Sequence, residues 1–350
     1  MMMLRWSWVA AAASVLSFFL PAFAAAGPAD RPAAESRPGP GADGEAFSFG
    51  GDGFAMFGPS GDRAPLRYHL SWAPERPVRG QNADFGFTAH ELGASRKVWE
   101  EGPGSLRLFA TLRADLLDTD LILPDSGRPL PDTLWSARVG AGYVRRLQRG
   151  WVAGGNLSIG SAGDRPFSQF RDVDAGLLAF LHLPRDEGEG WNFALVYRPF
   201  SEFPYPLPAV SYSWRPSPDF RMNLGIPFQV MYRPADALTL NFSYMPLLTV
   251  RAQAVYRLPG SWRLFAAYDW GSRVWYLHDR EDDDERLHLV VQNLAAGVRT
   301  DLTDQIGLEL SAGYQFDRFF YAGDDYSDRD NDRVRIDDGP LFSVRTAVRW

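Results

Sequence analysis

A chain of 350 residues without cysteine lies outside the small disulfide-stapled secreted classes and can hold no thiolate metal site. Its net charge of -7, with no basic stripe, argues against nucleic acid as a partner. Apolar residues make up 45% and aromatics 14%, yet mean hydropathy is -0.24, so apolar side chains are dispersed among polar ones and no run beyond Leu20 could cross a bilayer as a helix.

Met1 to Arg5 supplies a short basic start, Trp8 to Leu20 an apolar run, and Pro21 a helix break. Small residues follow, with Ala22 and Ala24 flanking Phe23 and a second such site at Ala24 to Ala26. This is the pattern of a secretory signal peptide over 1–24, and the run is shorter than the ~20 residues a spanning helix needs. Residues 25–65 are rich in Gly, Pro, Ala and Asp without a hydrophobic period, so they are expected to form a flexible N-terminal tail. Phe47, Phe49, Phe54 and Phe57 interrupt it and are read as weakly ordered rather than as a plug.

From Leu66 onward the dominant signal is period two, the spacing that sends successive side chains to opposite faces of a strand. Leu238, Leu240, Phe242 and Tyr244 alternate with Thr239, Asn241 and Ser243; Leu308, Leu310, Ala312, Tyr314 and Phe316 alternate with Gly307, Glu309, Ser311, Gly313 and Gln315. Leu106, Leu108, Ala110, Leu112 and Ala114 do the same against Arg107, Thr111 and Arg113, with Phe109 as an apolar exception on the polar face. Short turns near Glu101, Gln148, Glu187, Ser217, Ala235, Gly260 and Thr303 alternate with longer polar loops, and aromatics such as Tyr143, Trp191, Trp214, Tyr244, Tyr268 and Tyr314 fall near strand ends. A soluble β-sandwich shares the alternation but not the two-sided loop rhythm and aromatic girdles of a transmembrane barrel. The expected fold is therefore all-β: a single closed antiparallel transmembrane β-barrel over 66–350, with 12–16 strands and a best count of 16. Its segments start near Leu66, Phe85, Leu106, Leu134, Trp151, Asp172, Trp191, Ala209, Phe220, Phe228, Leu238, Thr249, Trp262, Leu287, Ile306 and Leu341. The compact middle connections at Pro227 and Pro246 leave strands short for the ~9–11 residues of a crossing, which is why twelve or fourteen stays open.

Within that stretch, Phe203 to Pro259, Pro206, Pro208, Trp214, Arg215 and Pro216, then Gly225 to Phe228, then Tyr232 to Asp236, resemble a family of uncharacterised bacterial outer-membrane β-barrels. That resemblance implies fold and location and brings no activity with it. In physical terms, each Arg-Pro or Ser-Pro ends a strand by removing a ladder donor. At the C-terminus Phe342, Val344, Val348 and Trp350 share one face, with Arg345 and Arg349 on the other. This resembles the terminal strand read by the outer-membrane assembly machinery, with Arg345 standing where a small residue is usual.

The five histidines, His69, His90, His182, His278 and His288, fit no serine-hydrolase elbow and no metal motif, so no catalytic residue, cofactor or metal is assigned and no enzyme is expected. Asp279 to Glu285 and Asp324 to Asp332 form acidic loops, read as solvated charge before divalent-ion ligands; Asp328, Asp330 and Asp332 start like a calcium loop, but Arg333 stands at the turn glycine. The expected lumen face carries Arg107, Arg113, Arg138, Arg251, Arg263, Arg299 and Arg345 with Asp115, Asp172, Asp174, Asp269 and Glu309. Such residues would be costly toward lipid, and they suit either an aqueous pore or a lumen closed by Arg–carboxylate pairing. A channel or passive transporter for small polar solutes is the leading expectation, ahead of a closed structural or adhesive barrel and of a lipid hydrolase. Expected partners are outer-membrane lipid, the assembly machinery and such solutes. The protein should fractionate with the outer membrane and show heat-modifiable gel mobility; recovery as a soluble periplasmic species would overturn the assignment.

Overall fold

The computed structural model describes residues 66–185, 188–199, 204–246, 249–280 and 282–349. The expected leader at 1–24, the tail at 25–65 and the terminal Trp350 lie outside them. The described residues form one antiparallel sheet of β1 (Leu66–Pro77), β2 (Asp84–Glu101), β3 (Gly104–Thr119), β4 (Thr133–Arg146), β5 (Val152–Gly163), β6 (Val173–Pro184), β7 (Gly190–Tyr197), β8 (Leu207–Ser217), β9 (Phe220–Gly225), β10 (Phe228–Ala235), β11 (Leu238–Met245), β12 (Thr249–Arg257), β13 (Arg263–Trp275), β14 (Arg286–Asp301), β15 (Ile306–Gly323), β16 (Val334–Ile336) and β17 (Gly339–Val348). Each strand pairs with the next in sequence, β15 skips to β17, and β17 pairs with β1, so sixteen strands close into a ring. β16 is a three-residue addition inside the β15–β17 connection. The compact middle segments are full members of the ring, which settles the count at the upper end of the expected range.

Closure runs in continuous register from Leu66 opposite Val348 to Trp72 opposite Phe342. Phe342 stacks on Trp72 with ring centroids 5.5 Å apart, while Val344 faces Leu70. The outward face carries the C-terminal apolar residues, and Arg345 points to the opposite face, toward Glu309 of β15.

The decisive feature is which face is apolar. Leu108, Leu112, Val139, Leu177, Val210, Leu264, Leu294 and Leu310 are all exposed, and Leu157 reaches 62%. Their neighbours in sequence, among them Arg113, Asp115, Ser158, Asp174, Ser211 and Ser243, are buried. A two-layer sandwich would show the reverse. Apolar side chains open to their surroundings on strand after strand have hydrocarbon as their solvent. Trp72, Trp135, Tyr143, Trp191, Trp214, Tyr244 and Tyr314 stand exposed on the same outer face. Tyr268 departs from the expected girdle: it is buried and donates its hydroxyl to Gln292 at 2.9 Å.

Ring strands range from six residues in β9 to eighteen in β2 and β15. β7, β9, β10 and β11, of six to eight residues, fall below the ~9–11 residues of an ordinary crossing.

The exception at Phe109 has a steric account. It points inward, and its Cζ lies 2.3 Å from where a Cβ on Gly140 would stand. Phe180 occupies the same position over Gly154, and Phe265 over Gly297, at 2.5 and 2.8 Å. Three inward phenylalanines thus fill the space left by a bare glycine on an adjacent strand, covering its backbone. Gly140→Ala is expected to destabilise the barrel by about 1–3 kcal/mol through overpacking. The measurement is the temperature at which the folded, fast-migrating gel band converts to the unfolded one; no downward shift would refute the account.

Candidate functional site

Alternation places arginines and carboxylates on the inner wall, and strand register brings them together. Arg251 of β12 faces and pairs with Asp269 of β13. Glu309 of β15 lies between Arg299 of β14, with which it pairs closely, and Arg345 of β17 at 3.2 Å. Asp301 takes Arg263 at 2.7 Å and Arg349 at 3.1 Å. Asp174 of β6 takes Arg138 of β4 at 2.8 Å, reaching past β5, and Arg198 at 2.6 Å. Nearer the extracellular end, Arg113 of β3 grips Asp115 with both arms, at 2.7 and 2.8 Å, and reaches Glu91 at 2.9 Å. Arg273 of β13 meets the same Asp115 at 3.2 Å, an ion pair that bridges strands far apart around the ring. Arg107 faces the same way, with no ion pair or hydrogen bond from its side chain among the described residues. Asp172 stands apart from the others, in a 3-10 turn (Phe170–Asp172) of the β5–β6 loop rather than on a strand.

Sequence reasoning missed the extracellular mouth. The inward residues there are apolar: Ala73, Phe85, Phe87, Leu134, Trp275, Leu287, Leu289 and Phe320 join Leu121, Leu123 and Leu130 of the β3–β4 loop and Val334 and Ile336 of β16 in one buried cluster. Leu121, Leu123 and Phe320 have no exposed surface. The cavity left between this cluster and the Asp115–Arg273 pair holds about 10 Å³, room for one water at most.

Loops fasten this plug. Asp332 accepts from the backbone N–H groups of Asp125 and Ser126 at 2.7 and 2.9 Å and returns its own N–H to Asp125 at 2.7 Å. Arg128 bonds Glu285 at 2.5 Å and lies 3.7 Å from Asp332. The β13–β14 loop reaches across the ring: Tyr276 N–H donates to the Ala162 carbonyl of β5 at 2.8 Å, and Arg280 pairs with Asp172 at 2.9 Å with both side chains buried. Since β5 and β13 lie eight strands apart in either direction, this connection spans the mouth.

Several acidic-loop residues read from sequence as solvated charge are therefore fasteners: Glu285, Asp283 and Asp332 each hold a neighbouring loop, and Asp328 accepts from the Asp324 N–H at 3.0 Å. Among the described residues no group of three or more His, Cys, Asp or Glu is arranged to hold a metal ion. His288 stacks on Tyr321 at 4.3 Å, whereas His278 meets Gln169 and Ser168 at 3.2 and 3.4 Å, so the two do not form a pair across their hairpin. Ser168 donates its hydroxyl proton to Asp172 at 2.8 Å, and Asp172 is in turn held by Arg280. That order leaves Ser168 without the oriented histidine base a nucleophile needs.

The barrel thus has lipid-facing apolar walls, a charged interior and no free sheet edge around its ring. It is an outer-membrane β-barrel. No protein-family model and no curated protein matches the sequence. Solved structures similar to it include the β domain of the Bordetella autotransporter BrkA, with 13% identity over 83% of this chain and 100% of that one and a TM-score of 0.31. An outer-membrane channel from Pseudomonas putida F1 follows at 10% identity, 81% and 92% coverage and 0.35, and OccK7 from Pseudomonas aeruginosa at 12%, 82% and 99%, and 0.34. At these values they carry no argument about activity.

The loop tie at Asp172 sets a pH dependence. Burial pushes its carboxyl up, but the Ser168 hydroxyl, the Arg280 guanidinium and the Gln169 N–H outweigh that and hold it below the usual carboxylate range. A carboxylate held low in the folded state contributes stability above its unfolded value of about 3.9 and loses it as pH falls through the lower folded value. The mouth should stay fastened from neutrality to about pH 4 and loosen in stronger acid. Amide hydrogen exchange over 276–285 reads this; Asp172→Asn should speed exchange there at neutral pH, and unchanged exchange would refute the tie.

Proposed function

We propose that the barrel is a gated passive channel for small polar solutes, shut at its extracellular mouth in the conformation described. One contrast carries this reading. On the inner wall the side chains of Arg251 and Asp269 keep 27% and 30% contact with solvent, Arg345 49%, and Glu91 and Arg273 still 37% and 36%, whereas Arg113 and Asp115 directly beneath the plug fall to 6% and 4%. A lumen built only to be filled would bury all of them alike. Water therefore reaches far into the barrel and stops at an apolar constriction, a construction that gates by dewetting.

The sign of the wall supports a preference among solutes. Asp174, Asp301 and Glu309 each serve two arginines, and Arg107 adds a charge with no carboxylate on it among the described residues. The surplus is positive and favours anions. Among the described residues no nucleophile, base and oxyanion donors are arranged together. The dry plug favours a second reading, a permanently closed structural barrel.

Planar-bilayer recording of the refolded full chain separates the two. The wild-type barrel should be nearly silent, while Leu123→Ser with Arg280→Ala, which wets the plug and releases its strap, should raise conductance at least tenfold with a reversal potential displaced toward the anion. Silence of that variant at every voltage, with its heat-modifiable mobility intact, would overturn the channel in favour of the closed barrel.

A further inference from the structure

The inner wall of β6 to β10 carries a ladder of uncharged polar groups. His182 Nδ1 meets Asn192 Oδ1 at 2.8 Å, Asn192 donates to Ser213 at 2.9 Å, Ser213 donates to Asn223 at 2.8 Å, and Asn223 donates to Gln229 at 3.2 Å. The ladder ends without completion: Gln229 is 5% exposed, and its Nε2 is buried with no partner.

Next to this ladder, on the same face and toward the short-turn end, lie three arginines. Ser213 faces Asn223, so two positions further along each strand Arg215 of β8 comes opposite Arg221 of β9, where the β8 register shifts between Trp214 and Ser217. Met231 faces Arg221, which places Arg233 of β10 on the adjoining diagonal, its backbone N–H donating to the Asp219 carbonyl at 2.8 Å. Gly188, at φ +83, lets the β6–β7 turn pass close to the Arg215 side chain, where a Cβ would sit 2.9 Å from Cδ.

These three differ from the paired wall arginines described above. Among the described residues none of their guanidinium groups has a carboxylate or any other hydrogen-bond partner, and Arg233 Nε is buried and unsatisfied. Like charges directly opposite one another across a strand pair are destabilising, and so is a buried donor without an acceptor. Elsewhere on the wall this sequence neutralises arginines with Asp174, Asp269, Asp301 or Glu309. Here it sets three guanidinium groups near one another on facing strands, and no acid among the described residues pairs with them.

We propose that Arg215, Arg221 and Arg233, with the Gln229 amide two strand positions above Arg221 on the same face, form a binding site inside the lumen for a phosphate-type oxyanion, either inorganic phosphate or the phosphoryl group of a small solute. Planar guanidinium forks match the oxygens of a tetrahedral oxyanion in pairs, and a dianion balances two like charges at once. The unsatisfied Gln229 Nε2 supplies a neutral donor of the kind that orients such a group. The site rests on the reading of this part of the lumen as open to solvent, and it deepens that reading by naming what the conduit would hold.

The test is isothermal titration calorimetry of the refolded full chain in a non-ionic detergent, which contributes no lipid phosphate, with inorganic phosphate added at constant ionic strength and sodium chloride as the control titrant. Saturable binding of phosphate and none of chloride is expected. Arg221→Gln and Arg215→Gln should each weaken it at least tenfold, whereas Arg149→Gln, in the exposed β4–β5 turn, should leave it unchanged. Heat-modifiable mobility establishes that each variant is folded, and Arg233→Gln stands in for either that is not. Absence of saturable binding, or binding equally strong in the folded cluster variants, would overturn the site. A barrel that conducts but binds no phosphate loses this site alone; one that binds phosphate but never conducts keeps the site and loses the channel.

Discussion

A strand in hydrocarbon has no water with which to satisfy its backbone, so every N–H and C=O must find a partner within the sheet and the sheet can have no edge. All else in this barrel depends on the seam where β17 meets β1. Its seven facing pairs, from Leu66 with Val348 to Trp72 with Phe342, turn an open sheet of alternating strands into a ring. Once the ring exists, the period-two pattern has only one consistent assignment, apolar side chains toward lipid and polar ones toward the interior. The inner wall then becomes a place where charge can be held at tolerable cost.

How that charge is held varies along the barrel. Around most of the wall, facing strands bring arginine and carboxylate within reach, and several carboxylates are shared by two arginines, which leaves positive charge in surplus. Under the mouth, Arg113 and Asp115 are withdrawn from water and satisfied by two-armed bonding, with Glu91 and Arg273 completing the group. Burial of this kind is tolerable only because each charge finds several partners. Above it a dry cluster closes the way, fastened by loops whose acidic residues act as ties between neighbours.

Much of this was legible in the residues. Alternation of Leu308, Leu310, Ala312 and Tyr314 with Glu309, Ser311 and Gly313 identifies both a strand and its two faces, because side-chain period is a property of local geometry. The same pattern separates the short β9 and β10 at Pro227. Phe109 looked like a fault in the pattern because its reason lies on another strand: Gly140 is the space it fills. The mouth was illegible for a similar reason. Leu121, Leu123 and Leu130 are scattered in a polar loop with no period, and nothing local shows that they meet Phe85 and Phe320 from strands distant in sequence.

The amino-acid sequence by itself determined the class of fold and the two faces of each strand, since these follow from spacing and turn chemistry over a few residues, and it bounded the number of crossings between twelve and sixteen. Only the tertiary structure decided which charges are paired, which are left over at Arg215, Arg221 and Arg233, and which apolar residues gather at the mouth. Those outcomes depend on which strands become neighbours when the ring closes and on loops that reach across it, and such distances are set by the whole barrel, not by any one segment.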